Sequence, residues 1–152
     1  MKIMTDKKLF SILKKIKMNY AKQHIQTDRA ADDNWPLLKS SLFYNKSDEN
    51  YCMYISMQAI WLVGKGRQQQ ELIFCEKDQI DELFESKINK LTPFVLIEDT
   101  KKQVKPIIDN QLMKYELVGI KLQNEKSILI ISSSDLLIFL RYIDHSPKMV
   151  ES

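Results

Sequence analysis

Glycine and proline are scarce in this chain, with three and four in 152 residues. That excludes collagen-like and low-complexity disordered classes, and a 44% hydrophobic content is ordinary for a globular protein. Two of the three glycines fall in Gly64-Lys65-Gly66-Arg67, which has the basic character of a phosphate loop. A phosphate loop needs the longer Gly-x-x-x-x-Gly-Lys-Ser/Thr form running into a helix. Here Gln68-Gln69-Gln70 and a strand pattern follow, so a basic hairpin tip is expected instead.

Cysteine and histidine are equally rare. Cys52 and Cys75 cannot make a disulfide framework, and both are expected to be reduced thiols packed in strands. His24 and His145 each fall near the end of an expected helix, where the dipole favours a histidine. No Cys or His spacing suggests zinc, so no metal, cofactor or catalytic set is expected. Ser132-Ser133-Ser134 lacks a glycine elbow and reads as a helix-cap cluster. The acidic residues Asp28, Asp32, Asp33 and the pair Glu98-Asp99 read as solvated loop and cap carboxylates. Glu85-Ser86-Lys87 has a nuclease-like Glu-x-Lys spacing, but on an expected helix the two side chains point to different faces.

Long apolar runs are also missing. Lysines at 7, 8, 14, 15 and 17 interrupt the N-terminal region, so no signal-peptide core of about 7–15 apolar residues forms there. No window approaches the roughly 18 apolar residues of a membrane span. The expectation is a soluble, cytoplasmic protein without membrane insertion. Charge is uneven: the net is +3, residues 1–30 carry +6, and the remainder therefore carries −3. A basic leader on a slightly acidic body is not the pattern of a uniformly basic nucleic-acid binder.

What is present is periodicity. Leu9, Ile12, Leu13, Ile16 and Tyr20 predict an amphipathic helix over residues 6–23, capped by Thr5 or Asp6. Lys7, Ser11, Lys14, Lys15 and Lys22 fall on its opposite face, and Phe10 and Met18 sit off the stripe. Asn34-Trp35-Pro36 suits the start of a short helix, Leu42 to Tyr44 a strand, and Asn45 to Asn50 a turn. Residues 51–63 alternate as a long strand, with Trp61 in the core and residues 71–75 as its hairpin partner. Asp78 opens a helix that ends before Thr92-Pro93. Phe94 to Ile97 reads as a buried strand, and residues 99–110 as a helix if it starts near Lys105, because Pro106 breaks an interior. Residues 113–123 and 127–131 read as strands, and Ser133 or Ser134 caps a helix from Asp135 to about Asp144. The tail from Ser146 is expected to fray.

These elements predict one α+β domain over residues 1–152: the basic helix 6–23 and a body over 35–145. Its sheet is mixed and largely antiparallel, with an N-terminal amphipathic helix, a central helix and a C-terminal helix. The stretch from Trp35-Pro-Leu-Leu-Lys-Ser-Ser-Leu-Phe-Tyr44 to Leu140 resembles the SseB-like, or enhanced-serine-sensitivity, domain of bacteria. The likeness lies in Leu72-Ile-Phe-Cys-Glu-Lys-Asp78 to Phe84, and in Val118 to Leu122 followed by Ile130-Ile-Ser-Ser-Ser-Asp-Leu136. The chain departs from it at Leu72-Ile73, where the family has a proline before the phenylalanine, and at Gln123-Asn124-Glu125, where it often has Asn-Pro. The family shares no common active site, so the resemblance implies binding rather than a reaction.

Function is therefore expected to be non-enzymatic protein binding, of the kind used by immunity or antitoxin-like proteins that block a partner through surface complementarity. The expected contact residues are Lys7, Lys14, Lys15 and Lys22 of the basic helix, Lys65 and Arg67 at the hairpin tip, and Glu98 and Asp99 in the loop that follows residue 97. Two alternatives stand beside this. One is a nucleic-acid-binding regulator using the basic helix. The other is an enzyme whose site assembles from residues such as Glu98, Asp99, Glu116 and Lys121.

Overall fold

Leu9 and Leu13 lie one helical turn apart and are each 1% exposed. They fix α1 (Lys7–Lys15) to the core and leave Lys7, Lys14 and Lys15 in solvent. The computed structural model describes residues 1–24, 35–57, 71–124 and 126–151. Among these, the helices α1, α2 (Lys77–Phe84) and α3 (Ser133–Tyr142) combine with two sheets in an α+β fold.

The smaller sheet is antiparallel, with β1 (Ala21–His24), β7 (Ser127–Ser132) and β6 (Leu117–Lys121) in the order β1-β7-β6. The larger contains β2 (Lys39–Asn45), β3 (Asn50–Ser56), β4 (Leu72–Phe74), β5 (Val104–Asp109) and β8 (Lys148–Val150), in the order β4-β2-β3-β5-β8. Its β4-β2-β3 half is antiparallel, and β5 and β8 join in parallel. Leu42, Met53 and Ile108 of the larger sheet share one core with Val118, Leu129 and Ile131 of the smaller. Phe94 and Phe139 meet edge to face in that core, with ring centroids 5.2 Å apart. Strand alternation sends Phe43 and Cys52 to the other face of the larger sheet, where they form a separate apolar cluster.

A backbone contact ties the segment before β2 to the smaller sheet. The Leu38 N–H donates to the Gly119 carbonyl at 2.8 Å, and the Gly119 N–H donates to the Pro36 carbonyl at 2.9 Å. The Trp35 ring lies flush against this contact: a Cβ at Gly119 would stand 2.6 Å from two of its carbons. This glycine is required for close approach rather than for an unusual backbone angle.

Several expectations are corrected by long-range pairing. The first helix does not reach residue 23. It ends at Lys15, Lys17 turns with φ 54°, and residues 21–24 pair with β7, so the ladder overrides the helical spacing. Residues 71–75 do not pair with the strand after residue 50. β4 pairs with β2, and the neighbours of β3 are β2 and β5. Phe94–Ile97 is a buried 3₁₀ turn (Pro93–Glu98) rather than a strand, opened by the Thr92 hydroxyl accepting from the Phe94 N–H. Residues 104–109 are strand rather than helix. Pro106 is tolerated because β8 pairs only with residues 107–109, so β5 is an edge at the proline. Residues 113–123 divide into a 3₁₀ turn (Asn110–Lys114) and β6. Residues 148–150 are not frayed but paired with β5.

Caps shift by a residue or two. Glu76, not Asp78, caps α2 through a reciprocal capping box with Gln79, and α2 ends at a left-handed Glu85 rather than near Leu91. Ser132 caps α3, while Ser133 donates instead to the Tyr115 carbonyl. Trp35-Pro36 opens no helix, since Leu37 bridges to Gly119. Trp61, the Gly64–Gln70 tip, Asn34, Asp28, Asp32 and Asp33 lie outside the described residues.

Cys52 and Cys75 are both free and buried, and they sit on strands or strand ends either side of β2. Two strand spacings put them roughly 10 Å apart, beyond the ~7 Å reach of a disulfide. Burial, then the neighbouring Cys75 and Asp48, push the Cys52 thiol pKa up to about 12.

Candidate functional site

After α1 the chain reverses at Lys17, and this turn brings β1 alongside the helix it has just left. Phe10 of α1 and Tyr20 come together with ring centroids 5.7 Å apart. The ammonium of Lys22 lies 5.3 Å from the centre of the Phe10 ring, within cation–π range. Tyr20 is 45% exposed, so the aromatic surface is open to solvent.

The start of α1 is held in place by Asp6. Its carboxylate caps no helix amide of α1. It accepts instead from the Gln123 and Asn124 N–H groups, each at 2.9 Å. Gln123 is itself immobilised: its side-chain Oε1 accepts from the Asn89 and Lys90 N–H groups, and its Nε2 donates to the Lys90 carbonyl at 2.6 Å. The result is an open groove of about 640 Å³ between the start of α1, Lys22 and the β6–β7 turn, with Lys7, Phe10, Gln123 and Asn124 in its walls. The charged groups of the lining are Lys7, Lys22 and the Asp6 carboxylate, so the cations outnumber the anion by one. Such a groove suits a carboxylate or phosphate group next to an apolar or aromatic surface.

Of the residues expected to contact a partner, Lys7 and Lys22 converge at this groove. Lys22 does so from β1, not from a helix face. Lys14 and Lys15 lie exposed at the other end of α1. Glu98 is turned inward, 9% exposed at its side chain, with the Lys2 and Lys8 ammonium groups 3.4 and 3.7 Å away. Asp99 is buried and offers no contact surface. Lys65 and Arg67 lie outside the described residues. A continuous helix over residues 6–23 would hold Phe10 far from Tyr20 and Lys22, whereas the reversal at Lys17 gathers all three.

A second cleft, of about 550 Å³, opens beside Lys102, Lys105, Glu49, Asp144 and His145. Behind it His145 is 4% exposed. Its Nε2 lies 2.9 Å from Asp99 Oδ2, and its Nδ1 lies 2.8 Å from the Ile143 carbonyl oxygen. Asp99 also accepts from the Gln103 and Val104 N–H groups, at 3.1 and 2.9 Å. Burial pushes the Asp99 carboxyl up, but the bonds from His145, Val104 and Gln103 outweigh it, and the net pKa lies below the ordinary aspartate value. Both ring nitrogens of His145 already face oxygen atoms. The arrangement is a latch between the start of β5 and the end of α3, reinforced by Lys102 donating to the Ile143 carbonyl at 2.9 Å. His24 lies exposed on β1 rather than at a helix end.

The scattered carboxylates do not converge. Glu116 and Lys121 flank opposite ends of β6, Glu98 is paired with lysines, and Asp99 is committed to the latch. Among the described residues no group of three His, Cys, Asp or Glu is placed to hold a metal ion, and no helix is long and apolar enough to cross a membrane.

The fold has solved counterparts. A chain from a study of epitope backbone grafting onto scaffold proteins superposes with a TM-score of 0.68 at 11% identity, covering 95% of this chain and 94% of that one. The hypothetical protein APE2540 superposes at 0.64 with 12% identity, covering 95% of this chain and 97% of that one. A protein put forward as a trans-editing enzyme for prolyl tRNA synthetase superposes at 0.60 with 11% identity, covering 95% and 94%. A larger protein from Marinobacter aquaeolei VT8, put forward as a signal transduction protein, gives 0.58 at 12% identity; this chain spans 87% of itself and 27% of that protein. At these identities the likeness is one of fold. No protein-family model matches the chain, and no curated protein matches it.

Proposed function

We propose that this chain is a non-enzymatic binding module that blocks an acidic protein partner by direct contact, in the manner of a bacterial immunity or antitoxin-like protein acting in the cytoplasm. The observation that carries this reading is the groove lined by Lys7, Phe10 and Lys22, with Tyr20 packed against Phe10. Two cations beside the half-buried Phe10 ring and the exposed Tyr20 ring offer positive charge and π-surface to an acidic partner. The SseB-like resemblance belongs to the same reading, since it implies binding without shared chemistry.

One observation favours a second reading. Aromatic rings interleaved with lysines are also what a single-stranded nucleic acid stacks on. The two separate in one experiment. The tagged chain is used to capture ligands from native lysate at low salt, with and without nuclease, in parallel with the Lys7→Glu/Lys22→Glu variant. Protein binding predicts a stoichiometric protein that survives nuclease treatment and associates roughly ten-fold more slowly with the variant. Recovery of nucleic acid as the only ligand decides for the second reading. A catalytic activity lost on changing one carboxylate overturns both.

A further inference from the structure

Tyr44 and Tyr51 are cross-strand partners on β2 and β3, with ring centroids 5.1 Å apart and planes at 62°. Both are half-buried. Ile73 of β4, paired with Tyr44 on its other side, is 42% exposed. Gln79 and Glu82 approach from α2, three residues apart and so on one side of the helix. With Cys75 they line a recess of about 360 Å³, toward the lower end of the ~300–1,000 Å³ typical of small-molecule sites.

The chemistry of the recess has one sign. Two rings set at a steep angle wall a corner instead of stacking flat, so a guest can touch more than one π-surface. Glu82 is exposed and has no ion-pair partner among the described residues. Burial first, then Cys75, Tyr44 and Glu82, raise the Tyr51 hydroxyl pKa, so the ring stays a neutral phenol. We propose that this recess binds the quaternary or alkylated ammonium group of a small molecule. Aromatic faces attract such a cation, and most strongly when water is excluded. The apolar Ile73 suits methyl groups better than a strongly hydrated ammonium or metal ion, and Glu82 supplies the counter-charge. The site is separate from the α1–β1 groove and does not depend on the function proposed for it.

The test is an NMR titration of the tyrosine ring signals with choline and with its uncharged isostere, 3,3-dimethylbutanol. The expected result is saturable movement of the Tyr44 and Tyr51 signals by choline, with the isostere roughly ten-fold weaker. Glu82→Gln, on the exposed side of a short helix, leaves the fold intact. It should weaken choline about three-fold and leave the isostere unchanged. Equal affinity for the two ligands, non-saturating shifts, or shifts confined to other tyrosines would overturn the proposal.

Discussion

Gly119 shows how much one missing side chain can decide. Its amide and carbonyl bind Pro36 and Leu38, and its bare Cα face accepts the Trp35 ring. Gly119→Ala should cost roughly 1–3 kcal/mol in chemical denaturation, the usual penalty for overpacking, because two ring carbons and the Ile128 side chain must yield together. Asp99 makes a prediction that depends on pH. Its folded-state pKa is below its unfolded value of about 3.9, so the stability it contributes is complete above that pH and is lost as the pH falls through the folded value. Asp99→Asn should therefore destabilise by roughly 1–3 kcal/mol at pH 7, the cost of disturbing a buried charged hydrogen-bond set. Unfolding curves for wild type and variant should converge as the pH is lowered below about 3.9. A gap that stays constant into acid would show that the carboxylate charge is not what holds the latch.

At the scale of elements, β8 is the sharpest test of what pairing contributes. Residues 148–150 form a parallel edge on β5 and are bounded by the latch at His145. Removing the chain after Ser146 should lower stability by roughly 1–2 kcal/mol, the worth of a few ladder hydrogen bonds, while leaving the latch and the tyrosine recess intact. The elements legible in the sequence are those whose signal is local. α2 and α3 carry their own caps and apolar spacing, and β2, β6 and β7 carry apolar runs ended by turn chemistry. The elements misread are those decided by a distant partner. Residues 21–24 are exposed and carry no apolar alternation, and they become strand because β7 offers an edge. Residues 94–97 are as apolar as a strand, yet Thr92 and Pro93 start a 3₁₀ turn. The same logic governs the candidate site. The lysines of the basic leader were visible from composition, but the gathering of Phe10, Tyr20 and Lys22 required the reversal at Lys17. The Asp99–His145 pair spans 46 residues with no local motif.

Across the whole molecule, charge is unevenly distributed along the chain. The first thirty residues carry +6 and the remainder −3. Lys7, Lys14 and Lys15 project from α1 into solvent, while Leu9 and Leu13 hold it in place, so their charge is separable from the packing of the helix. Reversing all three to Glu should change folding stability by less than about 1 kcal/mol, because exposed charges contribute little to it. The same change reverses the field that a partner meets during approach. Rim charges act mainly on encounter, so the association rate with an acidic partner should fall roughly ten-fold at low salt, and the dissociation rate should change little. Raising ionic strength toward 1 M shortens the screening length to about 3 Å, and the difference between wild type and variant should then largely vanish. An association rate unaffected by the triple change, at any salt, would leave Lys22 and the Phe10–Tyr20 ring pair as the binding surface and remove the three α1 lysines from it.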